Sequence, residues 1–331
     1  MKAWEITGGF GIDNLKLVER DDPRASPGHV VVKVNAVSLN YRDVMMVRGE
    51  YNPKQPLPLV PCSDGAGEIV DVGDGVTSVK RGDRVVGMFA QGWQGGAPAR
   101  EKVKRTLGGP VSGTLATHVV LAESGVAPVP DGMTDVEAST LPCAALTAWS
   151  GLVEQAALKP GQRVLVLGTG GVATFALQIA RMSGARTLCV TAKPERARAL
   201  ADVVVDRRAH EDWDREVRKH WSDGADVVVE VGGAGTLTRS IKSTCIGGCV
   251  LVIGVLAGGV DKVNVIPVLM QNIRLQGVLV GHRDAFLAMS RAFVANNVKP
   301  IVDRTLSFAN AADAFRALES GSHVGKIVVA M

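Results

Sequence analysis

The run Gly168-Thr169-Gly170-Gly171-Val172-Ala173 has the spacing G-x-G-x-x-G/A. It closes an apolar run, 163–168, and opens a segment of helical period, and this setting makes a common pattern specific. The first glycine permits a tight turn, the second lets a pyrophosphate approach the backbone, and Ala173 keeps the helix close to the strand. Unbonded N–H groups and the positive dipole end of the helix then favour phosphate. A dinucleotide is expected on Gly168, Thr169, Gly170, Gly171 and Val172. About 20 residues further on, where an acid would hold the ribose hydroxyls, the chain reads Thr191-Ala192-Lys193-Pro194-Glu195-Arg196. A hydroxyl at Thr191 with cations at Lys193 and Arg196 suits a 2′-phosphate. NADP(H) is therefore expected over NAD(H); the alternative is that the two cations are ordinary helix-entry charges.

Such a turn has to be held by a parallel sheet. Apolar runs at 163–168, 187–191, 203–205, 225–230 and 250–253 alternate with helical periods at 172–183, 194–200, 213–221 and 236–243. Gly184 stands where a helix cap is expected. This alternation predicts a doubly wound parallel α/β sheet. The first third reads differently. Short strand runs at 30–37, 66–72 and 84–89, separated by glycine and proline, predict a compact β-rich domain. A glycine-rich loop spans 91–113, strand character returns at 114–129, and helices are expected over 135–140 and 144–156. The last stretch predicts a strand at 274–280, helices at 283–296 and 309–319, and a strand at 326–329.

With 331 residues, 46% hydrophobic and 21% charged, the chain suits two globular domains. The net charge of +4 is scattered except for a cluster at 100–105, read as a solvated loop rather than an anion-binding lid. No nucleic-acid partner is expected. The five cysteines have no CxxC spacing, which favours a reduced, cytoplasmic setting. No signal peptide or membrane span is expected.

Taken together, several segments resemble the medium-chain dehydrogenase/reductase superfamily, and most closely its zinc-independent quinone oxidoreductase-like branch. They are Leu39-Asn40-Tyr41-Arg42-Asp43, the run 60–68, Gly82-Asp83-Arg84-Val85, Gly168 to Ala173, and His323-Val324-Gly325-Lys326-Ile327-Val328. The resemblance implies a GroES-like catalytic domain built from both chain ends, over 1–127 and a return segment 267–331, around a Rossmann cofactor domain at 128–266. It places Thr147, Val255, Val280 and Lys326 along the cofactor's path. It also implies a homodimer joined through cofactor-domain edge strands, with the apolar region 249–280 compatible with that.

Where zinc-bearing relatives carry their ligands, this chain has Asn40, Ser63 and Cys143, and only the cysteine is retained. A catalytic zinc takes three protein ligands, so no zinc is expected. Without a Lewis acid, an isolated ketone is hard to polarise. A quinone or α,β-unsaturated carbonyl spreads charge onto its oxygen and needs only hydrogen-bond donors. The candidate donors are Asn40, Tyr41 and Tyr51, and Tyr51 matches an active-site tyrosine of that branch. Where such relatives often carry another tyrosine, this chain has Met45. The leading expectation is an NADPH-dependent reductase of quinones or enones, acting on a small-molecule substrate. The alternatives are a zinc-free alcohol or aldehyde dehydrogenase, and a dinucleotide-binding protein with little turnover.

Overall fold

The computed structural model describes residues 1–331. The chain divides into two compact units, Met1–Leu146 with Gly281–Met331, and Thr147–Val280. Residues 1–146 supply β1 (Lys2–Ile6), β2 (Leu15–Glu19), β3 (His29–Ser38), β4 (Asp64–Val72), β5 (Arg84–Gly87), β6 (His118–Ala122) and β7 (Val126–Pro128). The second unit supplies β8 (Arg163–Leu167), β9 (Arg186–Thr191), β10 (Val203–Asp206), β11 (Ala225–Glu230), β12 (Thr244–Val252) and β13 (Arg274–Gly277). The C-terminal segment adds β14 (Val302–Ser307) and β15 (Lys326–Ala330).

In the first unit β1 and β2 form an antiparallel pair, and the other strands form one sheet in the order β14-β15-β3-β4-β5-β7, with β6 on β3. β3 is the organising strand. Its valines at 30, 32, 34 and 37 are buried, because β-branched side chains suit a covered pleated surface. One edge of β3 pairs along its length with β4, while the other is shared by β6 over His29–Lys33 and by β15 over Ala36–Ser38. The two chain ends therefore share one sheet and one core, in which Val34, Ile69, Leu115, Phe315, Ile327 and Val329 are buried together.

The second unit is a six-stranded sheet, all parallel, in the order β10-β9-β8-β11-β12-β13. The order reverses between β8 and β11, which is where an open α/β sheet leaves room for a ligand beyond its strand ends. The helix Gly171–Met182 follows β8. Gly184 lies just past its end at φ 74°, in the expected capping position.

Several elements differ from the expectations. The unit bounds fall at 146/147 and 280/281 rather than 127/128 and 266/267. The helix Asp135–Ala138 packs on the first sheet, where Asp135 accepts from Asn35 and Arg84, and β13 pairs with β12 in the second. The segment read as helices over 135–140 and 144–156 winds partly as wide π-turns at Leu141–Ala145 and Ser150–Gln155. Pro142, within the first of these, lacks the N–H that an α-turn would use. The helix expected at 194–200 is one turn, Pro194–Ala197. A short helix, Arg100–Val103, stands in the glycine-rich loop; Lys102 there donates to the Gly95 and Ala97 carbonyls, and Lys104 pairs with Glu101. No disulfide links the five cysteines, and no helix is long and apolar enough to cross a membrane.

Candidate functional site

The second unit carries the glycine turn at the end of β8. Gly168 has φ 81°, a conformation that L side chains rarely adopt. Its N–H donates to the Val190 carbonyl at 2.8 Å, which ties the turn to the end of β9. Gly170 caps the helix Gly171–Met182 from extended backbone. A Cβ at Gly168 or Gly170 would meet no protein atom within 4 Å, so open space lies over both. Ala173 is buried against the sheet. Backbone N–H donors at a helix start, beneath space that no side chain fills, fit a pyrophosphate.

Thr191, at the end of β9, is buried, and its Oγ1 accepts from the Lys193 backbone at 3.1 Å. Lys193 caps the next helix and Arg196 is exposed on it. Sequence reading passed over Asp206, which lies across from Thr191 in the β9–β10 register. Its carboxylate is held by the Arg208 backbone at 2.9 Å and by the Arg208 guanidinium at 3.0 and 3.1 Å. Those bonds pull its pKa below the usual carboxylate value. Thr147 is buried, Val255 is half-exposed in the turn after β12, and Val280 is buried with φ 38°. That angle is rare for a β-branched residue and stores local strain.

The first unit holds a buried polar cluster. Asn40 is the N-cap of the helix Tyr41–Val47, and its backbone N–H donates to Asp43 Oδ2 at 2.8 Å. Its side chain is engaged twice, with Oδ1 accepting from Lys326 Nζ and Nδ2 donating to Ser63 Oγ at 3.5 Å. Ser63 Oγ in turn donates to Asp64 Oδ1 at 2.8 Å, and the Cys143 backbone N–H donates to Asp64 Oδ2 at 3.2 Å. Lys326, on β15, also donates to the Leu39 carbonyl at 2.7 Å and is 2% exposed. Its ammonium thus lies within the first unit, against Asn40, one of the three positions compared above with zinc ligands.

Burial sets the electrostatics here. It pushes Asp43 up to about 6, against the opposing pull of Arg42. It raises Asp64 too, with Lys326 as the strongest counterweight. The Cys143 thiol is pushed far up by burial and then by Asp64. Cys189, buried in β9, is pushed up to about 12 by burial alone. No three His, Cys, Asp or Glu side chains are grouped to hold a metal ion.

Tyr51 is 45% exposed and Tyr41 half-buried. The Arg42 guanidinium lies 4.9 Å from the centre of the Tyr51 ring and 5.0 Å from that of Phe89. Arg42 lies within the motif Leu39 to Asp43, and nothing in its type or spacing there marks it for a role. Lys326 was expected along the cofactor's path, and its contact with Asn40 spans 286 positions and leaves no local signal.

Residues 26–131 match the alcohol dehydrogenase GroES-like domain, and residues 171–295 the zinc-binding dehydrogenase domain. The chain is 36% identical to a zinc-type alcohol dehydrogenase-like protein of Schizosaccharomyces pombe, with 96% of each covered. It is 30% identical to a chloroplastic NADPH-dependent alkenal/one oxidoreductase of Arabidopsis thaliana, over 99% of this chain and 79% of that one. A crystal structure of an NAD-dependent alcohol dehydrogenase superposes with a TM-score of 0.90 at 32% identity, covering 100% of both chains. With its end-to-end match, its β-rich domain closed by both chain ends and its glycine turn on a parallel sheet, the chain belongs to the medium-chain dehydrogenase/reductase superfamily, in its quinone oxidoreductase-like branch, and is an NAD(P)-dependent oxidoreductase.

Proposed function

We propose that the chain reduces quinones or α,β-unsaturated carbonyls with NADPH and without zinc. The observation that carries this reading is the state of the ligand positions. Asn40, Ser63 and Asp64 bond in sequence, and Lys326 places an ammonium on Asn40. A dication there would meet a positive charge, and an amide and a hydroxyl stand at two of the three positions where a catalytic zinc needs ligands, so these residues do not fit zinc. The alkenal/one oxidoreductase relative supports both the acceptor class and NADPH.

The bound nicotinamide would supply a hydride. Gly168 to Val172 would hold the pyrophosphate, with Thr191, Lys193 and Arg196 at the 2′-phosphate. The engagement of Asp206 by Arg208 supports that choice, because the carboxylate across from Thr191 is already occupied. Tyr51 would give its phenolic proton to the enolate that develops as the β-carbon is reduced. Half-exposed, it regains a proton from solvent. Asn40 and Tyr41 would line the acceptor.

NADPH oxidation measured against an enone, a quinone and a simple ketone tests the acceptor. Turnover of the first two, with the ketone inert and no zinc in the purified protein, is the expected result. Stoichiometric zinc, or a preference for the ketone, sinks the proposal. Lys193→Ala should lower the ratio of kcat/KM for NADPH over NADH by about tenfold, the scale of one charge-assisted bond. A zinc-free alcohol dehydrogenase is the second reading, favoured by the likeness to the NAD-dependent enzyme, and the ketone arm with NADH decides it.

A homodimer through β13 is part of the same proposal. β13 is an edge strand, and Ile246, Ile266, Leu269, Met270 and Leu279 are exposed apolar residues of this unit. A patch of this kind marks an interface, and sedimentation at micromolar concentration tests it. The five thiols suit a reducing compartment such as the cytoplasm.

A further inference from the structure

We propose that Arg42 is the positioning residue for Tyr51: its guanidinium, seated over both the Tyr51 and Phe89 rings, fixes the phenol and supports the charge left on it by proton donation. This rests on the reading of Tyr51 as the proton donor.

The clamp is built from separate parts of the first unit. Arg42 sits in the first turn of the helix Tyr41–Val47, with its side chain 9% exposed. Nη1 donates to the Leu107 carbonyl at 3.0 Å and to Asp43 Oδ1 at 3.2 Å, and Nη2 to the Gly109 carbonyl at 3.4 Å. Nε has no hydrogen-bond partner. Gly109 is a glycine for a reason: its φ is 125°, and a Cβ there would lie 2.3 Å from Met46 Cε. The Tyr51 backbone is brought back to the helix by its N–H bond to the Met45 carbonyl at 3.1 Å. The guanidinium carbon then lies over the Tyr51 ring, 4.9 Å from its centre.

A cation over a ring is attracted to its face, more strongly when both are shielded from water. The planar fork of arginine can stack on two rings while donating along its edge, and a lysine ammonium cannot. Asp43 alone would explain a buried arginine as a structural ion pair. It does not explain the stacking, nor the glycine loop whose carbonyl meets the far edge of the fork. The half-exposed Tyr51 ring gains a fixed orientation and a positive charge beside it.

A double-mutant cycle on the full-length protein tests the assignment, with NADPH oxidation by 1-octen-3-one as the assay. Arg42→Met should lower kcat about tenfold with little change in KM for NADPH, and Arg42→Lys should recover part of the loss. In the Tyr51→Phe background the same changes should alter kcat less than about twofold, since coupled residues do not add. Equal losses in both backgrounds overturn the role of Arg42. An unchanged kcat in Tyr51→Phe alone overturns instead the reading of Tyr51 as donor. If Arg42→Met does not fold, Arg42→Lys in both backgrounds decides. With only two tyrosines in the chain, 13C-tyrosine NMR gives an independent readout. The Tyr51 ring signal should move in Arg42→Lys, and an unmoved signal overturns the clamp.

Discussion

The glycine turn of the second unit and the buried cluster of the first solve the same problem, holding charge in place, in opposite ways. At Gly168 and Gly170 the protein supplies backbone N–H groups, a helix end and empty space. It places no side-chain charge there, so the anion has to come from outside. Around Asn40 the protein supplies its own charges: Arg42 bonds Asp43 directly, and Lys326 is linked to Asp64 through Asn40 and Ser63. The first arrangement is cheap to fold and awaits its ligand. The second is complete at folding and stakes stability on every member, because a buried charge without its partner is costly.

If that contrast is right, the cluster should fail by unfolding and the turn by losing its ligand. Lys326→Met should give the largest effect, lowering stability by about 3–5 kcal/mol in urea melts, since it strips the Asn40 and Asp64 side of its cation. Adding Asp64→Asn should return part of that loss, and a double variant no better than the single breaks the account. The pH dependence comes next. Asp43 has its pKa raised from 3.8 to about 6 by burial, so the folded state holds a proton that the unfolded chain has already released. Its contribution to stability is therefore present at low pH and fades as pH rises from about 4 to about 6. A shift of that size is worth roughly 2–3 kcal/mol, and Asp43→Asn should flatten the slope of unfolding free energy across that window. The smallest effect belongs to Gly170→Ala. The added methyl meets no protein atom, so the melting temperature should stay within about 2 °C while NADPH affinity falls at least tenfold, or about 1.4 kcal/mol. Unchanged affinity would show that the space over Gly170 is not the pyrophosphate's.

The same contrast decides what the sequence makes legible. The turn could be read because its signals are local: an apolar run, glycines at fixed spacing, then a helical period. The alternating strands and helices of the second unit were readable for the same reason. β2 escaped notice because Leu17 is exposed beside the buried Leu15, so Leu15–Glu19 shows no apolar alternation, and β1 because its buried face includes the charged Glu5. β14 escaped because three of its six residues are exposed and none is fully buried. The π-turns around Pro142 keep a helix-like composition, so only the backbone geometry reveals them. In the cluster, Asn40, Tyr41 and Tyr51 could be named, but not their partners. Lys326 reaches Asn40 only because β15 pairs with β3, and the stacking of Arg42 on Phe89 depends on how a loop returns.

That pairing of β15 with β3 also sets a timetable. Leu39 and Lys326, bonded in the finished protein, are 287 residues apart. At about 5–20 residues per second, the ribosome takes roughly 15–60 s between them. During that interval the Ala36–Ser38 stretch of β3 has emerged and its eventual partner has not. The second unit, contiguous in sequence, can fold in the meantime, whereas the first has an open strand edge until β15 is made. An open edge invites pairing with another chain, so synthesis leaves the first unit exposed to misassembly for longer than the second.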